Sequence, residues 1–155
     1  MADSAASVPF TAFSFAVEIV RDDGSAPLVS SAFSECDGLE LGMDFKTIRE
    51  GGSNDRQIRL AGPASVGQLT LKRGMTGASL DLWQWVSDSI DDPSLRAEVD
   101  VVLLAPGGGK PRGRFKLSRC LPVKLKAPPL NAREGAVAIE ELQLAYERIR
   151  FQAGG

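Results

Sequence analysis

A chain of 155 residues makes one domain with room for one hydrophobic core. Hydrophobic residues are 43% and charged residues 25%, an ordinary globular balance, and the net charge of −2 lacks the basic excess of a general nucleic-acid binder. The absence of histidine excludes His-based catalytic triads, HExxH zinc hydrolases, His-ligated zinc fingers and His-ligated haem.

Residues 1–10 carry Asp3 and no basic segment, and they read as a short tail rather than a secretory signal. The domain is expected over 11–151, with a second tail at 152–155. Phe13, Phe15, Val17 and Ile19 alternate with small or polar residues, the period of a half-buried strand. Residues 21–25 are a turn. A second apolar stretch over 28–36 is broken by Asp37-Gly38, a hairpin signal. Leu39, Leu41, Met43 and Phe45 then alternate with Glu40, Asp44 and Lys46 two by two. The apolar set is expected on the core and the charged set on the opposite face.

The period is lost over 49–66. Gly51-Gly52, the charges around them and the breaker Ala61-Gly62-Pro63 predict a loop too long for an idle connection, hence functional or disordered. Leu69, Leu71 and Arg73 resume period two, and Gly74 ends that strand. A helix is predicted over 79–90, capped by Ser79, with Leu82, Trp83, Trp85, Val86 and Ile90 as its apolar face. Asp91-Asp92-Pro93 stops it. Val99, Val101 and Leu103 form a strand, 106–111 a Gly-rich turn, and Phe115, Leu117, Val123 and Leu125 further strand. Residues 136–151 fit two periods. Ile139, Leu142, Tyr146 and Ile149 have helical spacing, which periodicity alone favours; Leu142, Leu144 and Tyr146 suit a strand.

Chemistry-bearing motifs are few. Pro106-Gly107-Gly108-Gly109-Lys110 lacks the earlier Gly and the Ser/Thr of a phosphate loop and reads as a hairpin tip. Asp88, Asp91 and Asp92 lack the spacing of a calcium loop. Glu35, Glu40, Asp44, Glu140, Glu141 and Glu147 are candidate acid–base carboxylates, read as charged strand faces. Trp83 and Trp85, two apart on a helix, point to different sides. Cys36 and Cys120 have no His to activate a thiolate and are expected as buried free thiols in a reducing compartment. No apolar run approaches the roughly 20 residues of a membrane span. The strands are more apolar than a small closed barrel needs, and neighbouring copies are one way to pair such edges.

The chain resembles the tail tube proteins of contractile phages and the inner tube proteins of contractile injection systems. The resemblance rests on Phe33-Ser34-Glu35-Cys36-Asp37-Gly38-Leu39-Glu40, Arg49-Glu50-Gly51-Gly52-Ser53-Asn54, Leu71-Lys72-Arg73-Gly74 and Leu82-Trp83-Gln84-Trp85. Pro122-Val123-Lys124, Leu130-Asn131-Ala132 and Ala138-Ile139-Glu140-Glu141-Leu142 with Leu144-Ala145-Tyr146-Glu147 complete it. The motifs occur in family order over about 10–151. Two departures are Tyr146, where relatives often carry His, and Phe115, Leu121 and Leu125, where they often carry a Trp.

The resemblance implies a mainly β fold of two packed antiparallel sheets, a barrel-like sandwich, with one α-helix and a long inter-subunit loop. It makes 136–151 a strand, with an irregularity near Glu140-Glu141. It implies a non-enzymatic structural subunit, without cofactor, catalytic centre or metal. Hexameric rings of it stack into a hollow tube through which cargo or DNA passes without sequence-specific binding. Arg49, Glu50, Gly51, Gly52, Asn54, Asp55, Arg56 and Arg59 become an arm to a neighbouring subunit or ring. Strands near 32–48, 115–125 and 137–147 line the lumen, with Glu40, Asp44 and Lys46 facing it. Expected partners are further copies, a sheath, baseplate and tube-terminator proteins, without stable membrane insertion. Assembly is expected in the bacterial cytoplasm, as part of a phage tail or a tail-like particle that is released. The alternatives are a tube-initiator ring subunit at the baseplate, a solitary β-barrel holding an apolar ligand, and a His-free hydrolase using carboxylates.

Overall fold

A computed structural model describes Phe10 and residues 14–22, 24, 27, 29–31, 33–49, 57–107 and 109–154; the side chains of 29–31, 46, 48–49 and 57–65 lie outside that description. The strands are β1 (Phe15–Arg21), β2 (Val29–Ser31), β3 (Glu35–Asp37), β4 (Leu41–Arg49), β5 (Gln57–Val66) and β6 (Gln68–Gly74). The helix α1 (Ser79–Asp91) follows, then β7 (Ala97–Leu104), β8 (Pro111–Lys126), β9 (Ile139–Ala145) and β10 (Arg148–Ala153). All pairings are antiparallel. This is the mainly β architecture with one helix that the resemblance implies.

The main sheet runs β2-β1-β7-β8-β9-β6-β3, with β10 also on β8. It is folded at the 16-residue β8. The first half of β8 pairs with β7 and β10, and Leu121 to Lys126 pair with β9. Arg119 sits between the halves at φ 53°, and β9 gives way to β10 across Tyr146 and Glu147 beside it. Two bent strands thus form a corner, the usual way a strand passes from one sheet of a sandwich to the other. Among the described residues the path does not close, because β2 and β3 at its ends have one neighbour each.

Both half-sheets and the helix contribute to one core. Val17 and Ile19 of β1, Val99 and Val101 of β7 and Leu117 and Cys120 of β8 come from one half. Leu69 and Leu71 of β6 and Leu142 and Leu144 of β9 come from the other. Leu82 and Trp85 of α1 fill the space between. Ile90, expected on the apolar face, is instead 74% exposed at the last turn of α1.

The parity of β9 does not shift at Glu140-Glu141, contrary to expectation. Glu140, Leu142, Leu144 and Tyr146 all point inward, and β9 pairs with β6 without a register shift. The apolar pattern breaks because a buried position holds a carboxylate. Glu140 Oε1 accepts from Arg73 Nε at 2.8 Å and from the Ser79 hydroxyl at 2.8 Å, and Oε2 accepts from Trp83 Nε1 at 3.1 Å. Burial without such donors costs several kcal/mol. Ser79 is therefore the first residue of α1 rather than its cap. Its oxygen also accepts the Thr76 N–H at 3.1 Å, so the carboxylate ties the helix start to β6 and β9.

A second correction concerns 49–66. Gln57 to Val66 is strand, paired with β4 from Leu41↔Val66 to Arg49↔Gln57. The period is hidden by a bulge, in which Gly62 and Pro63 together face Asp44. A bulge is one of the few places where a sheet accepts proline.

Glu140→Ala is expected to cost about 3–5 kcal/mol, since it removes the counter-charge of a buried guanidinium. The apolar pair Arg73→Met with Glu140→Leu should recover most of that loss, measured by chemical denaturation. Both cysteines are free. Burial, with Asp37 adding, pushes the Cys36 thiol up to about 11. Burial, with Glu98 adding, pushes Cys120 to about 12. Raised folded values mean that the protonated thiols favour the fold at full strength below about pH 8.5, and that this contribution is lost as pH rises beyond it. At pH 8 both thiols should react with a maleimide far more slowly in the folded chain than in urea, measured by mass.

Candidate assembly interface

β3 and β6 pair as far as Asp37↔Thr70, and β4 and β5 begin at Leu41↔Val66. The segment 35–74 is therefore one long hairpin with an unpaired joint at 38–40 against 67–69. On one side of the joint it belongs to the main sheet. On the other, β4 and β5 form a two-stranded arm that pairs only with itself among the described residues.

The joint is tightly built. Asp37 Oδ1 accepts the Gly38 N–H at 2.8 Å, and Gly38 adopts φ 101°. A Cβ at Gly38 would lie 1.8 Å from the Gln68 carbonyl oxygen, so only glycine fits this turn and close approach. The Tyr146 hydroxyl donates to Gly38 O at 2.7 Å, with Glu40 O a second acceptor at 3.1 Å, and accepts the Glu40 N–H at 3.2 Å. Leu39 packs against the core.

Beyond the joint, Leu41 is 68% exposed, Met43 64% and Phe45 60%. This corrects the expectation that they face the core, which Leu39 alone bears out. The alternation is that of a strand with one apolar face, and that face is left mostly open to solvent at Leu41 and Met43. The strip continues onto the body through a groove of about 140 Å³ lined by Leu39, Leu41, Phe115, Ile149 and Phe151, with Glu40 its one charged residue. Phe151 stacks at 4.8 Å on Phe115 and edge-on at 5.9 Å to Phe10. A contiguous apolar surface of this kind marks an interaction site more often than scattered exposed residues do.

The charged positions distribute as follows. Glu40 is exposed, and its side chain lies over Gly67. Asp44 is exposed on β4, on the opposite face from Met43 and Phe45 by strand alternation. Lys46 pairs with Leu60, Arg59 with Thr47 and Arg49 with Gln57 across the arm. Glu50, Gly51, Gly52, Asn54, Asp55 and Arg56 lie outside the described residues.

The carboxylates do not converge on one another. Glu35 meets Lys72 at 3.4 Å, Glu147 meets Arg119 at 2.9 Å, and Glu140 is held as described. A groove of about 370 Å³ crosses the outer face of β1, β7, β8 and β10, with Glu18, Glu98 and Asp100 on one side and Lys116, Arg148 and Arg150 on the other. Asp100 is bridged to Arg114 at 2.6 Å. Between β7 and β8 the Ala105 N–H donates to Lys110 O at 3.0 Å, as at the base of a hairpin tip. Trp85 is core and Trp83 serves Glu140. The signals that sequence reasoning missed were the lone Glu in a buried parity, at Glu140, and the joint residues Gly38, Gly67 and Tyr146.

No curated protein matches the chain. Among solved structures it is similar to a chain of the six-fold-symmetrised cryo-EM structure of the anti-feeding prophage baseplate. That match has 29% identity and a TM-score of 0.81, and covers 95% of this chain and 97% of the other. It also has the fold of a chain in the sheath–tube complex of the PVC extracellular contractile injection system in its extended state. Identity there is 21%, the TM-score 0.80, and coverage 99% and 97%. A third chain, in the tube-terminating cap of the anti-feeding prophage, shares the fold at 19% identity and TM-score 0.77, covering 94% and 92%. The sequence profile of the T4-like virus tail tube protein gp19 matches residues 11–150. With that match spanning nearly the whole domain, the chain belongs to the tail tube protein family, as a structural tube subunit.

Proposed function

We propose that this subunit closes into hexameric rings that stack as the hollow inner tube of a contractile particle, and that cargo or DNA passes along the lumen. The observation that carries the reading is the exposure of Leu41 and Met43, at 68% and 64%, on the apolar face of the arm. A neighbouring copy supplies the cover. The open ends of the sheet at β2 and β3 offer further pairing positions, since exposed strand edges are ordinarily paired or blunted. The 29%-identical relative comes from a six-fold-symmetrised assembly, which supports six copies per ring.

In this arrangement the apolar face of the arm turns to the neighbour and the opposite face stays wet. Glu40, Asp44 and Lys46 then line the channel together with strands of the β3-β6-β9-β8 half-sheet. Residues 50–56, with Arg49 and Arg59 flanking them on the arm, reach the next subunit or ring. Sheath, baseplate and terminator proteins are the partners of the finished tube, in keeping with the particles from which the similar chains come. The particle is assembled in the bacterial cytoplasm, and the subunit performs no turnover.

Met43→Asp tests the reading. The side chain is mostly exposed, so the free subunit should melt within a degree or two of the parent, while rings and rods vanish from negative-stain images. A variant that still forms six-fold rings would refute the assigned interface. Asp44→Cys probes the channel face. In intact tubes with open ends it should label with a small maleimide and be blocked by prior closure of the ends. Complete protection in open tubes would contradict the register.

A further inference from the structure

We propose that the Tyr146 hydroxyl is the latch of a hinge at residues 38–40, fixing the angle at which the β4–β5 arm leaves the body. Tyr146 is the chain's one tyrosine. Its ring is 3% exposed within the core cluster, at the corner where β9 gives way to β10. Only its oxygen reaches the joint. There it contacts both ends of the three-residue segment, the carbonyl of Gly38 on the body side and the carbonyl and N–H of Glu40 on the arm side.

Besides that hydroxyl, the joint is held by the Asp37 carboxylate on the Gly38 amide, which acts on the body side alone, and by Leu39 on the core. Pairing with β6 ends at Asp37, and pairing with β5 starts at Leu41. Gly38 and Gly67 bring the two strands of the hairpin close enough for backbone and side chain to touch across the gap. They also bring the freest backbone in the chain to that point. With the ladder interrupted and glycine on each strand, the arm's direction depends on Leu39, packed on the core, and on the hydroxyl. Leu39 anchors one point. The hydroxyl connects two, and two points on either side of Leu39 are what set an angle. Tyr146 is therefore a positioning residue, whose oxygen holds the Leu41, Met43 and Phe45 strip ready for a neighbouring copy. Holding a loop or ribbon in its bound geometry raises affinity by lowering the ordering cost. The consequence for assembly rests on the tube reading above; the latch itself does not.

Tyr146→Phe removes the oxygen and keeps the ring. In the free chain, at concentrations below assembly, hydrogen exchange of the Glu40 amide should accelerate about tenfold while β1 and β7 stay unchanged. The threshold concentration for rods, read by sedimentation, should rise about twofold to tenfold, the span of one lost hydrogen bond. Unchanged exchange at Glu40 would overturn the latch. Faster exchange with an unmoved threshold would overturn its role in assembly. If the variant does not fold, the parent chain supplies the second measurement. A tyrosine hydroxyl held on backbone groups should also protect the parent's Glu40 amide, which donates to it; exchange of that amide at the rate of an unfolded chain would refute the latch. Should the parent itself form no rods, the tube reading falls, and the exchange rate at Glu40 still decides the latch.

Discussion

An apolar strand face gains by being covered, and in this chain Leu41 and Met43, on the same face as Phe45, stand mostly exposed on the described subunit. The rest of the structure serves that fact. Full burial of such side chains contributes about 1.5–3 kcal/mol each, so at their present exposure roughly 1–2 kcal/mol each is still to be gained. Three together give about 3–6 kcal/mol, at the low end of the roughly 4–15 kcal/mol that association costs. One strip on its own makes a weak pair. In the proposed ring the balance would change, because each copy would offer its strip to one neighbour and receive another's, and the last contact would close without a further loss of free translation.

For the strip to be useful its position has to be fixed, and the body provides a rigid base. The corner at Arg119 and at Tyr146 and Glu147 folds one continuous sheet over a single core. Glu140 draws β6, β9 and the start of α1 onto one carboxylate through Arg73, Ser79 and Trp83. An apolar residue at 140 would fill the same space, but it would not select one helix position through three directed hydrogen bonds. The arm leaves this base at a joint that needs glycine at position 38. Its orientation there is set by the chain's one tyrosine.

Much of this was legible in the sequence, and the misses have physical causes. Alternation located β1, β6, β7 and the start of β4 because each has one apolar face, and alternation reports a face without saying what covers it. That is why Leu41, Met43 and Phe45 read as core. β5 was invisible because Gly62-Pro63 is a breaker by composition and a bulge by pairing, and pairing is not a local property. Glu140 read as a parity shift because a buried carboxylate differs from an exposed one only in its partners, which lie at least 57 residues away along the chain. Residues 136–151 show the limit of periodicity itself. Leu142, Leu144 and Tyr146 satisfy a strand, and Ile139, Leu142, Tyr146 and Ile149 satisfy a helix, until β6 and β8 are present to claim the backbone. The role of the joint residues was hidden for another reason: Leu39, Glu40 and Tyr146 fit the strand period like their neighbours, and Gly38 and Gly67 have no side chain to show one.

The claim that another copy covers the arm is tested most directly by oxidative footprinting of the methionines, read by mass spectrometry in the free chain and in the purified assembly. Met43 is 64% exposed in the subunit and Met75 37%, so in the free chain both should oxidise, Met43 faster. In the assembly Met43 should become strongly protected, by an order of magnitude or more in rate. Oxidation of Met43 at the same rate in both states would show that its face stays open to water when the subunits associate, and the account would be wrong.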